Sequence, residues 1–309
     1  MSRRYKETFA MFLSVALGML ASNGLVSRAG VPQETAPPKP QQPGTPPSAQ
    51  PQRPDAGASS GYVALPPGAE TLTTPLAENS LILFTGEGYD GVKSELVGID
   101  KSFAAGALNE IPQGLKDGVT SLRWNLPPGV VVVLYEDAAG KGEQVILWGK
   151  GQAPTVGKWD FNDKASRWAW YNVGGGRNAP SAEAMLLPHG ATPAAEAMPA
   201  NSLQYFIDTN FRNDMEQVSP VTAQKAGEFQ RMPKGTGDSL SSLRWNLPEG
   251  VVVVLYQDAG GGKQQTAIWG RGEIADLDTW DFNDKASRWT WSYVGAPGGG
   301  GAAETPVRE

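Results

Sequence analysis

The 309-residue chain contains no cysteine and one histidine, His189. The absence of cysteine excludes disulfide bonds, thiolate metal sites, cysteine nucleophiles and a lipid-modified N-terminal cysteine. Histidine is the most common general base in enzymes, and one copy cannot serve several catalytic centres. We interpret His189, in the segment LLPHGATP, as a solvated linker residue. Both absences favour a protein that is not an enzyme.

Positive charge is also scarce, since 26 lysines and arginines face 32 aspartates and glutamates and give a formal net charge of −6. The sequence has no basic block beyond its extreme N-terminus. Attraction to nucleic acid phosphates requires such a block, so we exclude nucleic acid as a partner. A mild acidic excess suits cations.

Long apolar runs are missing except near the N-terminus, where basic residues precede Phe9–Ala21. This run has the length of a signal-peptide core and is short for a membrane span. We therefore expect residues 1–29 to be a signal peptide or, alternatively, an uncleaved N-terminal anchor that would be the protein's one membrane contact. Residues 30–77 are rich in proline and are predicted to form a disordered spacer. These features predict a protein that is secreted or located in the periplasm or cell envelope.

Tryptophan, in contrast, is abundant, and the ten tryptophans form five pairs at one spacing. Each member of the first set recurs 121 residues later in the second: Trp124, Trp148, Trp159, Trp168 and Trp170, then Trp245, Trp269, Trp280, Trp289 and Trp291. The phrases SLRWNLP and WDFNDKASRW repeat with them. The chain therefore holds two copies of one module. We predict domain 1 at 78–173, a linker at 174–199, domain 2 at 200–294 and a disordered tail at 295–309.

Strand signals dominate both modules. The run VVVVLY at Val130–Tyr135 recurs at Val251–Tyr256 and is apolar on both faces, as in a strand buried in a sandwich. SRWAWY at Ser166–Tyr171 alternates with period two. Glycine and proline turns recur at short intervals, so we predict an all-β sandwich with Greek-key connections.

The tryptophans divide into two predicted groups. Those that flank strands at inward-facing positions are predicted to pack in the core: Trp124, Trp159, Trp168, Trp170 and their repeats. Trp148 and Trp269 lie beside glycines and a cation, so we consider them candidates for exposed sugar-stacking residues.

Each module also contains an internal repeat, because its two halves share the same order of motifs. Tight hairpins are predicted where an aromatic residue precedes a turn, at Phe84–Gly91, Tyr135–Gly142, Phe206–Asn213 and Tyr256–Lys263, and the turn contains glycine in all of them except Phe206–Asn213. Phe84–Gly91 contains the string GxGxxG, but no helix follows to hold a dinucleotide phosphate, so we interpret it as a hairpin. Each half-module then has a short polar segment before a strand. We call these four segments the polar runs: Lys116–Ser121, Asn162–Arg167, Gly237–Ser242 and Asn283–Arg288.

On these motifs, each module resembles a βγ-crystallin domain of the microbial, calcium-binding type. That family builds a domain from two motifs, each with an aromatic-x4-aromatic-x-Gly hairpin and a later [N/D]-[N/D]-x-x-[S/T]-S run. The sequence FTGEGYDG fits the hairpin pattern, and the order of hairpins and polar runs matches in both modules. The resemblance implies two βγ-crystallin-like Greek-key β-sandwich domains, each of two Greek-key motifs.

The resemblance also implies calcium sites, each formed by the run of one motif and the hairpin loop of its partner. Calcium prefers oxygen ligands, which carboxylate, amide, hydroxyl and carbonyl groups supply. Carried onto this sequence, the side-chain donors are Asp117, Thr120, Asn162, Asp163, Ser166, Asp238, Ser241, Asn283, Asp284 and Ser287. The backbone donors are Gly118, Lys164, Ser239 and Lys285.

The motifs depart from the family pattern in several places. The first-half runs begin with Lys116 or Gly237 instead of Asn or Asp, and the second-half runs end in Arg167 or Arg288 instead of Ser. Asn213 replaces a hairpin glycine, and Gly140 and Gly261 replace hairpin aromatics. An arginine beside a carboxylate can also pair with Asp163 or Asp284 in place of a metal. A second interpretation therefore stays open, in which the polar runs are turns that only shape the backbone.

The function that these patterns predict is a non-enzymatic, exported calcium-binding structural protein of the cell envelope or extracellular space, with calcium ions and an envelope polymer or protein as partners. One alternative is a metal-independent adhesion or interaction module for a glycan or protein, based on Trp148 and Trp269. Another is a secreted hydrolase inhibitor. Because the polar runs recur in both modules, both copies are predicted to bind calcium in the same way.

Overall fold

The computed structural model of the chain describes residues 65–175 and 185–296. The predicted signal peptide or anchor, most of the predicted spacer and nearly all of the predicted tail lie outside these residues. Within the described ranges, no helix has both the length and the apolar character needed to cross a membrane.

Domain 1 consists of short antiparallel strands in two sheets. Its strands are β1 (Glu70–Thr71), β2 (Ser80–Phe84), β3 (Lys93–Val97), β4 (Asn109–Glu110), β5 (Ser121–Asn125), β6 (Val130–Tyr135), β7 (Gln144–Trp148), β8 (Lys150–Ala153) and β9 (Arg167–Asn172). One sheet has the order β1-β8-β5-β2-β3, and the other includes β7-β6-β9-β4. Helical structure in the described part of this domain is limited to α1 (Ile99–Ser102) and two 3-10 turns, Glu87–Tyr89 and Gly157–Trp159.

The two halves of domain 1 interlock by exchanging strands. Strand β4, from the first half, pairs with β9 in the sheet of the second half. Strand β8, from the second half, pairs with β5 in the sheet of the first half. The predicted all-β sandwich of two Greek-key motifs is thereby confirmed.

Domain 2 repeats this architecture. Its strands are β10 (Thr192–Pro193), β11 (Ser202–Asp208), β12 (Arg212–Val218), β13 (Gln230–Arg231), β14 (Ser242–Asn246), β15 (Val251–Tyr256), β16 (Gln265–Trp269), β17 (Arg271–Ile274) and β18 (Arg288–Tyr293). Two 3-10 turns accompany them, Val221–Ala223 and Leu277–Trp280. The sheet orders are β10-β17-β14-β11-β12 and β13-β18-β15-β16, which match those of domain 1.

The core of each domain lies between its two sheets. In β6, alternate residues Val130, Val132 and Leu134 face this core, as the period of a strand requires. The tryptophans predicted to be core residues are confirmed as buried: Trp124, Trp159, Trp168, Trp170, Trp245, Trp280, Trp289 and Trp291.

The opposite face of β6 packs against the second domain. Val131 and Val133 share one buried apolar cluster with Val252 and Val254 of β15. The edge strands β7 and β16 also pair, so the described strands of the two domains form one eight-stranded sheet. Two reciprocal backbone hydrogen bonds close the interface: Gly129 N–H donates to Val294 O at 2.7 Å, and Gly250 N–H donates to Val173 O at 2.7 Å.

Both domains begin earlier than the sequence analysis placed them. Strand β1 lies in the predicted spacer and pairs with β8, and β10 lies in the predicted linker and pairs with β17. A tryptophan holds each segment, since Trp159 Nε1 donates to Pro67 O at 2.9 Å and Trp280 Nε1 donates to His189 O at 2.7 Å. Strands of two residues are too short to show a period-two pattern, which explains why they were missed.

The idea that Trp148 and Trp269 are exposed is wrong, because each is only 1% exposed. Both belong to the cluster between the domains. The ring of Trp269 lies 4.9 Å from that of Tyr171 in domain 1, and its Nε1 donates to Leu186 O at 2.8 Å. Neither indole is available for sugar stacking in this arrangement.

The four hairpins share an edge-to-face aromatic pair, even where the hairpin itself has lost an aromatic residue. Phe84 pairs with Tyr89 within its own hairpin at 5.8 Å. Tyr135, whose hairpin has Gly140 at the second position, pairs instead with His189 at 6.2 Å. A Cβ atom on Gly140 would meet the His189 ring at 2.7 Å, so the glycine makes room for it. His189 is therefore a half-buried packing residue rather than the predicted solvated one.

Candidate metal centre

The two polar runs of domain 1 lie against each other. Asp117 N–H donates to Ala165 O at 3.0 Å, and Asp163 N–H donates to Val119 O at 3.2 Å. The backbone N–H of the aspartate in each run therefore donates to a carbonyl of the other run, so the two contacts are reciprocal. Domain 2 repeats this arrangement, with Asp238 N–H donating to Ala286 O and Asp284 N–H donating to Leu240 O, both at 3.0 Å.

All four of these aspartates have a left-handed backbone. Their φ angles are 53° at Asp117, 57° at Asp163, 55° at Asp238 and 55° at Asp284. Among residues other than glycine, Asp and Asn adopt this conformation most readily, because their short polar side chains bond locally. The local conformation therefore favours Asp at these positions independently of any metal.

The side chains of the two runs pair across the same contact. Ser166 Oγ donates to Asp117 Oδ1 at 2.6 Å, and Thr120 Oγ1 donates to Asp163 Oδ1 at 3.3 Å. Each pair combines the carboxylate of one run with the hydroxyl of the other. Thr120 and Ser166 are 6% and 9% exposed, whereas the carboxylates are exposed to solvent. The hydroxyls are thus held in place by packing, and the carboxylates stay accessible to an ion.

The pairing is the same in domain 2 and also includes a hairpin loop. Ser287 Oγ donates to Asp238 Oδ1 at 2.8 Å. The Ser241 hydroxyl lies 3.4 Å from Asp284 Oδ1 and donates to Ile207 O at 2.8 Å. Because Ile207 belongs to the hairpin at Phe206–Asn213, the first-half run here contacts the hairpin of its own motif, whereas the resemblance implied the hairpin of the partner motif.

The carbonyls that were predicted as backbone donors are free to accept. Within residues 65–175 and 185–296, no hydrogen bond reaches the carbonyl oxygen of Gly118, Lys164, Ser239 or Lys285. Each of these residues directly follows one of the left-handed aspartates. The turn thus leaves a carbonyl oxygen without a hydrogen-bond partner among the described residues, one position after each of these aspartates.

The remaining predicted donors lie at the edge of these pairs. Asn162 is exposed and Asn283 is half-buried. Asn283 Nδ2 donates to Asp284 Oδ2 at 3.4 Å, and its Oδ1 is buried without a hydrogen-bond partner among the described residues. An amide oxygen without a partner beside a carboxylate is consistent with a further oxygen ligand.

The two lysines of the runs direct their charges elsewhere. Lys164 Nζ forms an ion pair with Glu143 Oε2 at 2.6 Å, and Lys285 Nζ forms one with Asp281 Oδ2 at 3.0 Å. Burial lowers the pKa of Lys164, but the hydrogen bond and the charge of Glu143 outweigh burial and leave this pKa raised. Lys164 and Lys285 therefore qualify as donors only through their carbonyls.

The arginines that end the second-half runs do not neutralise the run carboxylates. Arg167 forms an ion pair with Glu110 at 2.6 Å and donates from Nε to Ala138 O at 3.2 Å. The hydrogen bond from Arg167 to the Glu110 carboxylate and the positive charge of Arg167 lower the pKa of Glu110. Arg288 reaches only the carbonyl of Ser287, at 3.5 Å. In the described structure, Asp163 and Asp284 have no arginine partner, so the anticipated competition with a metal is not seen.

Each domain therefore offers two sets of oxygens, and the donor chemistry fits a hard cation. A set contains one carboxylate, one hydroxyl and one free carbonyl, which is the ligand chemistry that calcium prefers. Across residues 65–175 and 185–296, no three or more His, Cys, Asp or Glu side chains group closely enough to hold a metal by themselves. A cation here would depend on neutral oxygens, and a low ligand charge is associated with weak binding.

No protein-family model matches the chain, and no curated protein matches it. Among solved structures, the chain is similar to a βγ-crystallin domain from Clostridium beijerinckii, with 23% identity over 30% of this chain and 98% of that one and a TM-score of 0.23. It is also similar to a βγ-crystallin domain of the Abundant Perithecial Protein from Neurospora crassa in its Ca²⁺-bound form, with 16% identity over 31% of this chain and 93% of that one and a TM-score of 0.23. Protein S complexed with calcium spans more of the chain, with 14% identity over 69% of this chain and 98% of that one and a TM-score of 0.23.

The likeness to βγ-crystallin domains that the motifs predicted is confirmed as a likeness of fold. The fold assignment rests on this chain's own strand order and exchanged strands. Two of these similar structures were determined with calcium bound.

Proposed function

We propose that this chain is a non-enzymatic, exported calcium-binding protein whose paired polar runs bind calcium and are held together by it. The observation that carries the proposal is the reciprocal contact between runs. In both domains, the carboxylate of each run lies within 3.4 Å of a hydroxyl of the other run, and in three of the four pairs this hydroxyl donates a hydrogen bond to the carboxylate. The same contact therefore occurs four times in the described structure.

The distances within the pairs suit neighbouring ligands of one ion. The oxygens of each pair lie between 2.6 Å (Asp117 and Ser166) and 3.4 Å (Asp284 and Ser241) apart. Calcium holds six to eight oxygens at roughly 2.3–2.6 Å, which places neighbouring ligand oxygens about 3 Å from one another. The pairs are therefore already close to the spacing that an ion requires, and little rearrangement is needed on binding.

The proposed ligands follow from the pairing. In domain 1 they are Asp117 with Ser166 and Asp163 with Thr120, joined by Asn162 and by the carbonyls of Gly118 and Lys164. In domain 2 they are Asp238 with Ser287 and Asp284 with Ser241, joined by Asn283 and by the carbonyls of Ser239 and Lys285.

Calcium is expected to act on stability, because each pair joins the two halves of a domain. An ion that binds only the folded state adds RT ln(1 + [L]/Kd), or roughly 1–3 kcal/mol at about ten to a hundred times Kd. Extracellular calcium modules bind at about 0.1–1 mM, which matches sites with one carboxylate each. A structural role outside the cytoplasm follows from such an affinity.

The test is a calcium titration of the full chain by calorimetry, together with thermal melts in calcium and in EDTA. The informative variants are Asp117→Asn, Asp163→Asn, Asp238→Asn and Asp284→Asn. Asparagine tolerates the left-handed backbone and still accepts a hydrogen bond, so only the charge is lost. Each variant should remove one binding event and part of the calcium-induced rise in Tm, whereas Glu95→Gln, at an exposed strand position, should change neither. Absence of both heat and a melting shift in the unsubstituted chain would refute calcium binding.

Export is tested separately, because it depends on residues outside the described ranges. The full chain is expressed in a bacterial host and followed by cell fractionation and N-terminal sequencing. We expect the protein outside the cytoplasm, with or without the first 29 residues. The adhesion alternative loses its two candidate sugar-stacking residues, because Trp148 and Trp269 are buried.

A further inference from the structure

A pocket beside one polar run of domain 2 is lined by positive charge. Its volume is about 370 Å³, and Arg231, Lys234 and Arg288 line it together with Asp238 and Ser287. Arg231 and Lys234 are exposed and Arg288 is half-buried. Three cations therefore surround a single depression next to one carboxylate.

The corresponding place in domain 1 has a different charge. Counting back 121 residues, Glu110 takes the place of Arg231 and Gln113 that of Lys234. In domain 1, Glu110 lies opposite Arg167 on paired strands and forms an ion pair with it at 2.6 Å. Arg167, the equivalent of Arg288, is thus neutralised in domain 1 by Glu110. Domain 2 has Arg231 at the position of Glu110.

This replacement places two like charges opposite each other in domain 2. Arg231 and Arg288 are direct partners on the ladder between β13 and β18. Like charges at opposed positions destabilise a sheet. Among the described residues, no acidic side chain forms an ion pair with either arginine or with Lys234. Although Asp238 lines the pocket, none of the three cations is therefore neutralised by an ion pair, and an anionic ligand would relieve the repulsion.

We propose that this pocket of domain 2 is a binding site for a tetrahedral oxyanion, phosphate or sulfate. Guanidinium groups bind such anions through paired, charge-assisted hydrogen bonds, and a lysine adds a third positive charge. Three cations match a doubly charged anion and exceed the single negative charge of Asp238. Domain 1 lacks the site, because Arg167 is bound to Glu110 and Gln113 carries no charge. The two repeats thus differ in anion binding although their polar runs are alike.

The test uses the full chain in EDTA, at constant ionic strength with chloride as the balancing ion. Inorganic phosphate, sulfate and acetate are titrated separately and followed by calorimetry and by amide chemical shifts. We expect saturable one-to-one binding of phosphate, sulfate or both, with shifts around Arg231 and Arg288. Which of the two binds identifies the anion. Acetate that binds equally well would show general charge screening and would overturn the proposal, as would the absence of saturation.

Matched substitutions separate the site from the rest of the surface. Arg231→Glu introduces into domain 2 an ion pair like that between Glu110 and Arg167 in domain 1. It should weaken anion binding by at least about tenfold, the equivalent of losing one charge-assisted hydrogen bond. Its Tm in chloride should not fall, because the like-charge contact is gone, which separates lost binding from misfolding. The double variant Glu110→Arg with Gln113→Lys should create a second site in domain 1. Unchanged anion binding in Arg231→Glu contradicts the assignment. Calcium is absent throughout, so the result does not depend on the calcium proposal.

Discussion

At the scale of single residues, the two domains differ in the partners of an equivalent arginine, which is Arg123 in domain 1 and Arg244 in domain 2. An arginine lies over the second hairpin aromatic in both, with Arg123 Cζ 3.9 Å from the Tyr89 ring and Arg244 Cζ 4.0 Å from the Phe211 ring. Such contacts are attractive because the ring face is electronegative. Arg244 also forms a mostly buried ion pair with Glu273 at 3.1 Å. Arg123 lies opposite a glutamine instead, and its buried Nε has no partner within the described residues.

This difference predicts opposite effects for two reciprocal substitutions. Gln152→Glu should stabilise domain 1 by about 1–2 kcal/mol, because it gives Arg123 a charged hydrogen-bond partner. Glu273→Gln should destabilise domain 2 by roughly 2 kcal/mol, because it leaves Arg244 with less compensation for its burial. Urea unfolding of the two variants measures both changes. Equal signs for the two would show that the ion pair does not control this position.

At the scale of elements, the last residue of three of the four polar runs forms hydrogen bonds with a hairpin. In the first half of domain 1, Ser121 Oγ donates to Gly86 O at 2.6 Å and accepts from Tyr89 N–H at 3.1 Å. Ser242 makes the same two bonds in domain 2, with Asp208 and Phe211. The second halves have arginine instead of serine at this place. In domain 1 the arginine is Arg167, which donates to a carbonyl of the hairpin at Ala138. In domain 1, the longer side chain of arginine thus supplies a hydrogen bond to the hairpin where the family pattern has serine.

Loss of these hydrogen bonds should loosen a hairpin rather than a whole domain. Ser121 is fully buried, so Ser121→Ala leaves a partly buried N–H and a partly buried carbonyl without their partner and should cost about 1–3 kcal/mol. Ser94→Ala, at a half-buried position of β3, serves as the control and should cost less. Hydrogen exchange of the hairpin amides, together with urea unfolding, measures both. Protection of the Tyr89 amide that survives in Ser121→Ala would contradict this role.

At the scale of the whole molecule, tyrosines are concentrated where the domains meet. Tyr135, Tyr171 and Tyr256 all belong to the interdomain cluster. The hydroxyls of Tyr135 and Tyr171 lie 2.9 Å apart and are hydrogen-bonded to each other. Burial raises the pKa of each of these three side chains above the ordinary 10.0. Burial at the interface therefore favours the neutral form of these tyrosines.

The raised pKa values predict alkaline loss of stability. Below pH 10 the tyrosines are protonated in both the folded and the unfolded chain, so their contribution is fully present. Above pH 10 the unfolded chain releases protons that the folded chain retains, so stability falls by up to about 1.4 kcal/mol per pH unit for each tyrosine. Urea unfolding between pH 8 and about 11.5 checks this expectation, and Tyr135→Phe should reduce the slope by one proton. A stability that does not change above pH 10 would show that these side chains ionise in the folded state.

Much of the fold was predictable because it depends on local pattern. The repeat of tryptophans, the period-two strands and the glycine turns are properties of neighbouring residues, and they determined an all-β, duplicated Greek-key chain. They also determined which oxygen-bearing residues are candidates for calcium. They did not indicate that His189 would fill the space left by Gly140, because the two lie 49 residues apart (189 − 140) and meet only in the folded chain.

The run VVVVLY shows where the sequence by itself stops being informative. Its two apolar faces determined that both sides of the strand are buried, because exposing apolar side chains to water on either face has an unfavourable free energy. Only the tertiary structure decided that one face packs in its own domain and the other against the second domain. The same applies to Trp148 and Trp269 and to the reciprocal pairing of the polar runs. Burial follows from the chemistry of each side chain, whereas the identity of the covering surface depends on contacts between residues that are distant in the chain.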